Sequence, residues 1–222
     1  MKKVLIPTAL DSVAKEILEA HGGYAVTQIP KADILKFAQE NPDLHALIVR
    51  SEKVTAEIID AAPNLKVIVR AGAGYNTIDI AHARAKGVDV MNTPGANSNG
   101  VAEEVVALML CDARKLIAAD ASCRAGAWEK TAFMGTEITG KTIGIVGLGY
   151  IGRLVVKRLS GFEPTFIGFD PGTTVRQAAE LGVKLVSLDE LFAKSDYATL
   201  HLPETAENKG KVNRALLGQM KD

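Results

Sequence analysis

Cysteine, histidine and tryptophan are scarce in this sequence, and none of them forms a pattern that carries chemistry by itself. The 222 residues include two cysteines, Cys111 and Cys123, without CxxC spacing, and four scattered histidines. This distribution gives neither a disulfide framework nor a zinc cluster. The sequence therefore predicts no metal site and favours a reducing compartment, the cytoplasm.

An excess charge of either sign and a long apolar run are also absent. Lysine plus arginine equals aspartate plus glutamate at 26 each, so no global field draws the chain to nucleic acid or to an anionic membrane. The longest apolar stretch, Val105 to Cys111, is far shorter than the ~20 residues that a membrane span needs, and the first residues lack a signal-peptide core. We expect a soluble protein that recognises anions only locally.

Short runs rich in valine and isoleucine alternate with helical patterns, which is typical of parallel βα units. The first helix is predicted to begin at a capping Asp11, and the alternation resumes at Thr142 after a polar stretch. Strands are predicted at 3–7, 24–29, 46–50, 65–70 and 88–91, and then at 141–146, 165–169, 184–186 and 197–202. The predicted fold class is α/β, with a first domain at residues 1–98 and a second at 99–222.

One long helix is predicted between these regions, from Ser98 or Asn99 to Ile117. Its apolar surface is too wide for a single stripe. The helix is therefore predicted either to pack on two sides, as a hinge or in a subunit interface, or to be an ordinary buried helix.

A glycine loop follows the predicted strand at 141–146. Gly147, Gly149 and Gly152 form G-x-G-x-x-G between a predicted strand and a predicted helix at 153–160, which is the context of a dinucleotide-binding loop. Gly147 is expected to make the tight turn, Gly149 to admit a pyrophosphate, and Gly152 to let the helix pack on the strand. The N-terminus of this helix would offer free N–H groups and a positive partial charge to the phosphates.

An acidic residue stands where a dinucleotide site needs one. Asp170 ends the next predicted strand, eighteen residues after Gly152, and no lysine or arginine occupies the following five positions. A carboxylate there accepts from the adenosine ribose and repels a 2′-phosphate. The sequence therefore favours NAD over NADP, while an unrelated aspartate at a strand end is the alternative.

The strand at 197–202 ends in His201, Leu202 and Pro203, at the end of a sheet where α/β proteins bind ligands. His201 could act as an acid or base, but the favoured interpretation is a histidine that holds the loop after the strand.

Several segments together resemble the D-isomer-specific 2-hydroxyacid dehydrogenase family, and within it the enzymes that act on 3-phosphoglycerate. The matching segments are IVRS at 48–51, VRAGAGYNTIDI at 69–80, NTPGANSNGVAEEV at 92–105, GKTIGIVGLGYIG at 140–152 and HLPETAENKG at 201–210. The resemblance implies a flavodoxin-like substrate domain followed by an incomplete Rossmann domain, that is, a doubly wound parallel sheet that binds NAD, with the active site between them and a homodimeric assembly.

The resemblance also assigns substrate-binding residues. It implies that Arg50, with Ser51, and Arg70 clamp the phosphate and carboxylate of the substrate, and that the backbone N–H groups of Ala71, Gly72 and Ala73 hold the carboxylate. Forked arginine donors suit a small molecule with two anionic ends. It likewise implies that Gly147, Gly149, Tyr150, Ile151, Gly152, Asp170, His201, Leu202 and Pro203 bind the cofactor.

The sequence departs from the family at its end, because the family's catalytic arginine, glutamate and histidine would lie beyond Asp222. None of His21, His45, His82 and His201 matches the catalytic histidine, and Asn208 stands where relatives often have threonine. We therefore expect the 222-residue chain to be inactive alone. Two alternatives stay open: a glyoxylate or hydroxypyruvate reductase of the same family, and a non-catalytic module that binds NAD(H).

Overall fold

The computed structural model describes residues 1–203 and 205–221, and its chain divides into two compact units, Met1–Ala96 and Asn97–Asp222. In both units the sheet is entirely parallel and the strands alternate with helices. The predicted α/β class is confirmed.

The first unit is built on a five-stranded sheet in the order β2-β1-β3-β4-β5. The strands are β1 (Lys2–Ile6), β2 (Tyr24–Gln28), β3 (Leu44–Val49), β4 (Val67–Arg70) and β5 (Asp89–Asn92), and the helices are α1 (Val13–Ala20), α2 (Ile34–Glu40), α3 (Ala56–Ala61) and α4 (Ile80–Ala85). This is the strand order of flavodoxin-like folds, whose direction of winding reverses between β1 and β3.

The core of this unit explains why its strands read as continuous apolar runs. Leu5, Leu47 and Ile68 lie on three neighbouring strands and are fully buried, as expected for a parallel sheet with helices on both faces. The α1 boundary differs from the prediction, because that helix begins at Val13 after Ser12. The Asp11 carboxylate still accepts from Val13 N, at 3.0 Å.

The second unit holds a four-stranded sheet in the order β8-β7-β6-β9. The strands are β6 (Thr142–Val146), β7 (Thr165–Phe169), β8 (Val183–Leu185) and β9 (Tyr197–Leu200), and the helices are α5 (Ser98–Ala113), α6 (Leu116–Arg124), α7 (Tyr150–Leu159), α8 (Val175–Glu180), α9 (Leu188–Lys194) and α10 (Arg214–Leu217). This order corresponds to the first four positions, 3-2-1-4, of the dinucleotide-binding fold. The winding reverses between β6 and β9.

The long helix predicted to reach Ile117 was wrong, because the chain breaks between α5 and α6. Lys115 has a positive φ of 51°, and the carbonyl of Ala113 accepts from Thr136 N at 2.7 Å. A continuous helix would need that carbonyl for Ile117 N. The segment at Gly135 therefore ends α5 through a tertiary contact that a helical pattern does not reveal.

One further helix boundary was predicted wrongly, and one short helix was not predicted. The helix after the glycine loop was expected to begin at Arg153 but begins at Tyr150. The short helix α10 was not predicted, and the Asn213 side chain caps it by accepting from Leu216 N at 3.1 Å. Of the helices in the described parts of the chain, none is long and apolar enough to cross a bilayer.

Candidate functional site

The glycine loop lies at the carboxyl end of β6, beside the point where the winding of the second sheet reverses. Gly147 has a φ of +96°, and a Cβ there would lie 2.7 Å from the carbonyl oxygen of His201. A Cβ on Gly152 would collide with the carbonyl oxygen of Gly147, whereas a Cβ on Gly149 would meet nothing within 4 Å. The predicted tight turn and close helix packing are confirmed, and open space lies in front of Gly149.

The first turn of α7 presents backbone donors beside this open space. In the described chain the first helical hydrogen bond runs from Arg153 N to Gly149 O at 3.1 Å, which leaves the N–H groups of Tyr150, Ile151 and Gly152 without a backbone acceptor. The side chain of Tyr150 is 71% exposed. An accessible, positively polarised helix end of this kind suits a pyrophosphate.

Asp170 stands next to the loop at the end of β7. Its Oδ2 accepts from Leu148 N and its Oδ1 accepts from Gly172 N, both at 2.7 Å. Each carboxylate oxygen keeps lone pairs for a further donor such as a ribose hydroxyl. Asp170 therefore also holds the glycine loop, a role that sequence reasoning missed although a glycine two residues after an aspartate is a signal for such a turn.

His201 continues the pairing of β9 with β6, since its N–H donates to Val146 O at 2.8 Å. Its Nε2 lies 3.0 Å from the hydroxyl of the buried Thr199, and burial lowers the pKa of the ring. A neutral ring tied to its own strand agrees with the favoured interpretation, a histidine that holds the loop.

The residues after His201 line a pocket of about 270 Å³ with Asn208 and Lys209. Leu202 packs against the core on one side of the sheet, and the carbonyl of Pro203 accepts from Asn208 Nδ2 at 3.1 Å. Asn208, the departure from the family pattern, thus closes the loop rather than disturbing it. Contacts of His201, Leu202 and Pro203 with a cofactor stay a prediction.

In the first unit, the two predicted arginines lie at the carboxyl ends of neighbouring strands. In the parallel pairing of β3 with β4, Val49 lies opposite Arg70, and Ala71 N donates to Val49 O at 2.7 Å. Arg50, which follows β3, therefore lies beside Ala71, which follows β4. Neither arginine makes a salt bridge with the residues that the structure describes. Two uncompensated guanidinium groups therefore belong to one edge of the sheet.

Arg70 and Gly72 depend on each other. A Cβ on Gly72, whose φ is +154°, would fall on the guanidinium group of Arg70, so only glycine leaves that side chain its position. The Arg70 Nε is buried and donates to no acceptor in the described residues. A buried donor without a partner marks a place where an acceptor is missing.

The predicted backbone donors of the following turn differ in their hydrogen bonds, and their binding of a carboxylate stays a prediction. The N–H of Ala71 donates to Val49 O and that of Gly72 to Arg70 O at 2.8 Å, so both are engaged within the protein. Within the described chain, Ala73 is the one of the three whose N–H donates to no such group. The set of candidate carboxylate donors therefore narrows to Ala73.

Two residues that sequence reasoning missed support this edge. Asn92 ends β5 and its Nδ2 donates to Ala73 O at 2.7 Å, while Glu52 accepts from the backbone of Arg50 and Ser51. A polar residue at the end of a third adjacent strand was the available signal for Asn92. Across both units, the described histidine, cysteine, aspartate and glutamate side chains form no group of three that could hold a metal ion.

The chain is similar to known proteins along its whole length. Residues 106–222 match the family model described as D-isomer specific 2-hydroxyacid dehydrogenase, NAD binding domain. A D-3-phosphoglycerate dehydrogenase of Mycobacterium leprae is 41% identical over 95% of this chain, and a hydroxypyruvate reductase of Thermotoga maritima is 40% identical over 99% of it. The chain covers 40% of the length of the former protein and 71% of the latter.

Solved structures give the same relationship. The 3-phosphoglycerate dehydrogenase of Entamoeba histolytica with bound NAD+ has a TM-score of 0.80 and 35% identity, covering 99% of this chain and 68% of that one. A glyoxylate reductase from Paecilomyes thermophila has a TM-score of 0.87 and 28% identity, covering 100% of this chain and 71% of that one. The glycine loop, Asp170 and the start of α7 lie within the segment that the NAD binding domain model matches.

Proposed function

Because this chain belongs to the D-isomer specific 2-hydroxyacid dehydrogenases, we propose that its two units supply the substrate-binding and NAD-binding residues of an NAD-dependent dehydrogenase. The proposed substrate is a D-2-hydroxy acid with a second anionic group, and 3-phosphoglycerate fits best. One observation carries the substrate assignment: Arg70 Nε is buried without an acceptor in the described residues, on a strand whose neighbour is followed by Arg50.

The residues of the second unit fit the cofactor. The free N–H groups at the start of α7 and the space in front of Gly149 suit the pyrophosphate, and Asp170 has lone pairs for the adenosine ribose. NAD, when bound, supplies the hydride acceptor of the dehydrogenase reaction. The protein groups contribute orientation and electrostatics, and Asp170 also fixes the loop that binds the phosphates.

In the first unit, we assign the two arginines to the anionic ends of the substrate. Gly72 leaves the space that the Arg70 guanidinium occupies, while Arg50 is exposed and begins a turn in which its N–H donates to the carboxylate of Glu52. Charge-assisted, forked hydrogen bonds bind carboxylates and phosphates more strongly than neutral donors do. The N–H of Ala73 is the backbone donor that remains for the carboxylate.

Calorimetric titration of the 222-residue chain with 3-phosphoglycerate tests this assignment. Arg70→Ala should weaken binding at least about tenfold, a loss of ~1.4 kcal/mol, because it removes a charged donor whose Nε lacks a partner. Arg84→Ala, which removes an exposed arginine from α4 of the same unit, is the matched control. Equal affinities for the two variants would contradict the substrate assignment.

A reductase of an unphosphorylated acid is the second candidate, and the similarity to the Thermotoga maritima hydroxypyruvate reductase favours it. The same titration separates the two. Tighter binding of hydroxypyruvate or glyoxylate than of 3-phosphoglycerate would select the second candidate and leave the family assignment unchanged.

We also propose that the 222-residue chain does not turn over by itself. The resemblance places the catalytic arginine, glutamate and histidine outside these residues, and positioned acid–base groups typically contribute ~10²–10⁴-fold. In the structure the His201 ring is tied to Thr199. The test is a hydride-transfer assay that follows absorbance of reduced nicotinamide, on a chain whose mass confirms its end at Asp222. Turnover at an ordinary dehydrogenase rate would overturn this proposal.

A homodimer through α5 and α6 is proposed from exposed apolar side chains. Ile117 on α6 is 76% exposed and Trp128 is 77% exposed, with Leu108, Leu116 and Met134 nearby in sequence also exposed. Contiguous exposed apolar patches mark interaction surfaces, and we propose that these side chains form one. Sedimentation equilibrium should show a dimer that Ile117→Lys weakens, while Val175→Lys, an equally exposed site on α8, leaves it intact.

A further inference from the structure

The turn after β3 holds an acidic side chain inside the anion-binding edge of the first sheet. Glu52 follows Arg50 and Ser51, at the carboxyl end of the strand that neighbours β1. The winding of this sheet reverses between β1 and β3. Open α/β sheets bind their ligands at such a reversal, so Glu52 stands where an anionic ligand is expected.

The carboxylate of Glu52 occupies two backbone donors of this edge. Its Oε2 accepts from Arg50 N at 2.8 Å and from Ser51 N at 3.1 Å, so two successive N–H groups converge on one oxygen. Successive N–H groups that point into one concavity are a common way for proteins to bind a carboxylate or phosphate oxygen. In this structure the oxygen that the two N–H groups bind is Oε2 of Glu52, an atom of the protein itself.

The carboxyl group of Glu52 is ionised while it accepts from these N–H groups. Partial burial acts to raise the pKa of its carboxyl group, but the N–H donors of Arg50, Glu52 and Ser51, with the hydroxyl of Thr8, outweigh burial and hold the pKa below its usual value. Thr8 follows β1 and is itself buried. The side chain is therefore ionised at neutral pH and contacts residues that follow both strands flanking the reversal.

We propose that Glu52 is a specificity-determining residue of this anion site, a tethered competitor that occupies the N–H groups of Arg50 and Ser51. The proposal rests on the proposed function, in which Arg50 and Ser51 meet an anionic end of the substrate. A substrate anion gains the two N–H donors only by displacing Glu52. Until then the guanidinium of Arg50 attracts the anion while the carboxylate of Glu52 repels it, and a dianionic phosphate is repelled more strongly than a carboxylate.

A structural role for Glu52 makes the opposite prediction. If the carboxylate only held the turn so that Arg50 could bind, its removal would weaken anion binding. Removing a competitor strengthens binding instead. The two substitutions Glu52→Ala and Glu52→Gln separate charge from occupancy, because glutamine keeps an oxygen that can accept the two N–H groups and loses only the charge.

Titration of the 222-residue chain with inorganic phosphate at constant ionic strength tests the proposal, with the backbone amide resonances of Arg50 and Ser51 as the readout. Glu52→Ala should lower the dissociation constant about fivefold, the factor expected when a like charge roughly 4 Å away is removed and water screens the pair. Glu52→Gln should give an intermediate constant. Glu57→Gln, an exposed site on α3 with the same change in net charge, should behave as the wild type.

Phosphate binding by Glu52→Ala that equals or is weaker than that of the wild type would overturn the proposal, and so would the absence of saturable shifts in all variants. An equal increase in phosphate affinity in Glu57→Gln would show that net charge alone causes the effect, and this result would also overturn the proposal. The proposed function has separate readouts, the binding of 3-phosphoglycerate and of NAD. If the chain did not bind 3-phosphoglycerate or NAD but Glu52→Ala still bound phosphate more tightly than the wild type, the proposed function would be wrong. The proposal that Glu52 competes for the N–H groups would still stand.

Discussion

The two sheets expose their candidate binding groups at the same kind of place but make them from different parts of the chain. At the end of β6 the groups are backbone N–H donors, with open space in front of Gly149 and a tight turn that Gly147 makes possible. At the ends of β3 and β4 the groups are the side chains of Arg50 and Arg70. A site made of backbone is determined by local spacing, whereas a site made of side chains depends on what each side chain touches.

Glycine serves both sites for different reasons. Gly152 lets one backbone segment approach another, because a Cβ there would collide with the carbonyl of Gly147. Gly72 leaves space for a side chain, the guanidinium of Arg70. A flexible side chain can move away from an added methyl group more easily than a backbone carbonyl can, so the two positions should respond differently to the same substitution.

Gly152→Ala should have the largest effect. The added Cβ requires a shift of α7 against the loop, and overpacking of this kind costs about 1–3 kcal/mol of unfolding free energy. Binding of NAD should fall with it, because the N–H donors of the helix start move. Gly161→Ala, where a Cβ meets nothing within 4 Å, is the control. Urea unfolding and calorimetry give both quantities, and a stable Gly152→Ala chain with full NAD affinity would refute the backbone packing argument.

Gly72→Ala should have a clear effect on anion binding, while the positive φ of +154° adds backbone strain that also lowers stability. The methyl group displaces the Arg70 guanidinium, so affinity for 3-phosphoglycerate should fall about tenfold, a loss of ~1.4 kcal/mol, while NAD affinity is unchanged. Gly74→Ala is the matched control, since its Cβ would lie 3.6 Å from the nearest atom, Asn76 Oδ1. The comparison fails if both alanine variants bind the anion as the wild type does.

The sequence predicts features that local pattern determines better than features that depend on contacts between distant residues. One strand, β7 at Thr165–Phe169, has the predicted bounds because local pattern determines it. The break after α5 was missed because the carbonyl of Ala113 accepts from Thr136, a contact between distant segments. The glycine loop followed from spacing alone, and family resemblance supplied Arg50. Neither could show that Glu52 turns back onto the backbone of Arg50, since that depends on a side-chain conformation.

Asp170 is a side chain in a candidate NAD site whose donors are backbone N–H groups. Its replacement should have a moderate effect on the choice between NAD and NADP. Asp170→Asn removes the charge that opposes a 2′-phosphate, while the amide can keep one of the two N–H bonds from Leu148 and Gly172. The preference for NAD over NADP should fall about tenfold, the scale of one charge-assisted hydrogen bond at ~1.4 kcal/mol. Asp189→Asn, an exposed site on α9, should leave the ratio unchanged in paired titrations. Tighter binding of NADP by the wild type would remove Asp170 from the ribose site.

The smallest expected effect concerns pH and the strand end at His201. Burial lowers the pKa of this ring, so the folded chain binds a proton there less readily than the unfolded chain, whose histidine titrates near ~6.5. The stabilising contribution of the neutral ring is therefore present above about pH 6.5 and is lost as the pH falls through the lowered folded value. His201→Gln, which cannot titrate, should lose less unfolding free energy between pH 7 and pH 5 than the wild type in urea titrations. His21→Gln, at an exposed site in the first unit, should show the wild-type slope. Identical slopes for His201→Gln and the wild type would mean that the ring is solvated in the folded chain, and the proposal that His201 is a neutral, loop-holding histidine would then be wrong.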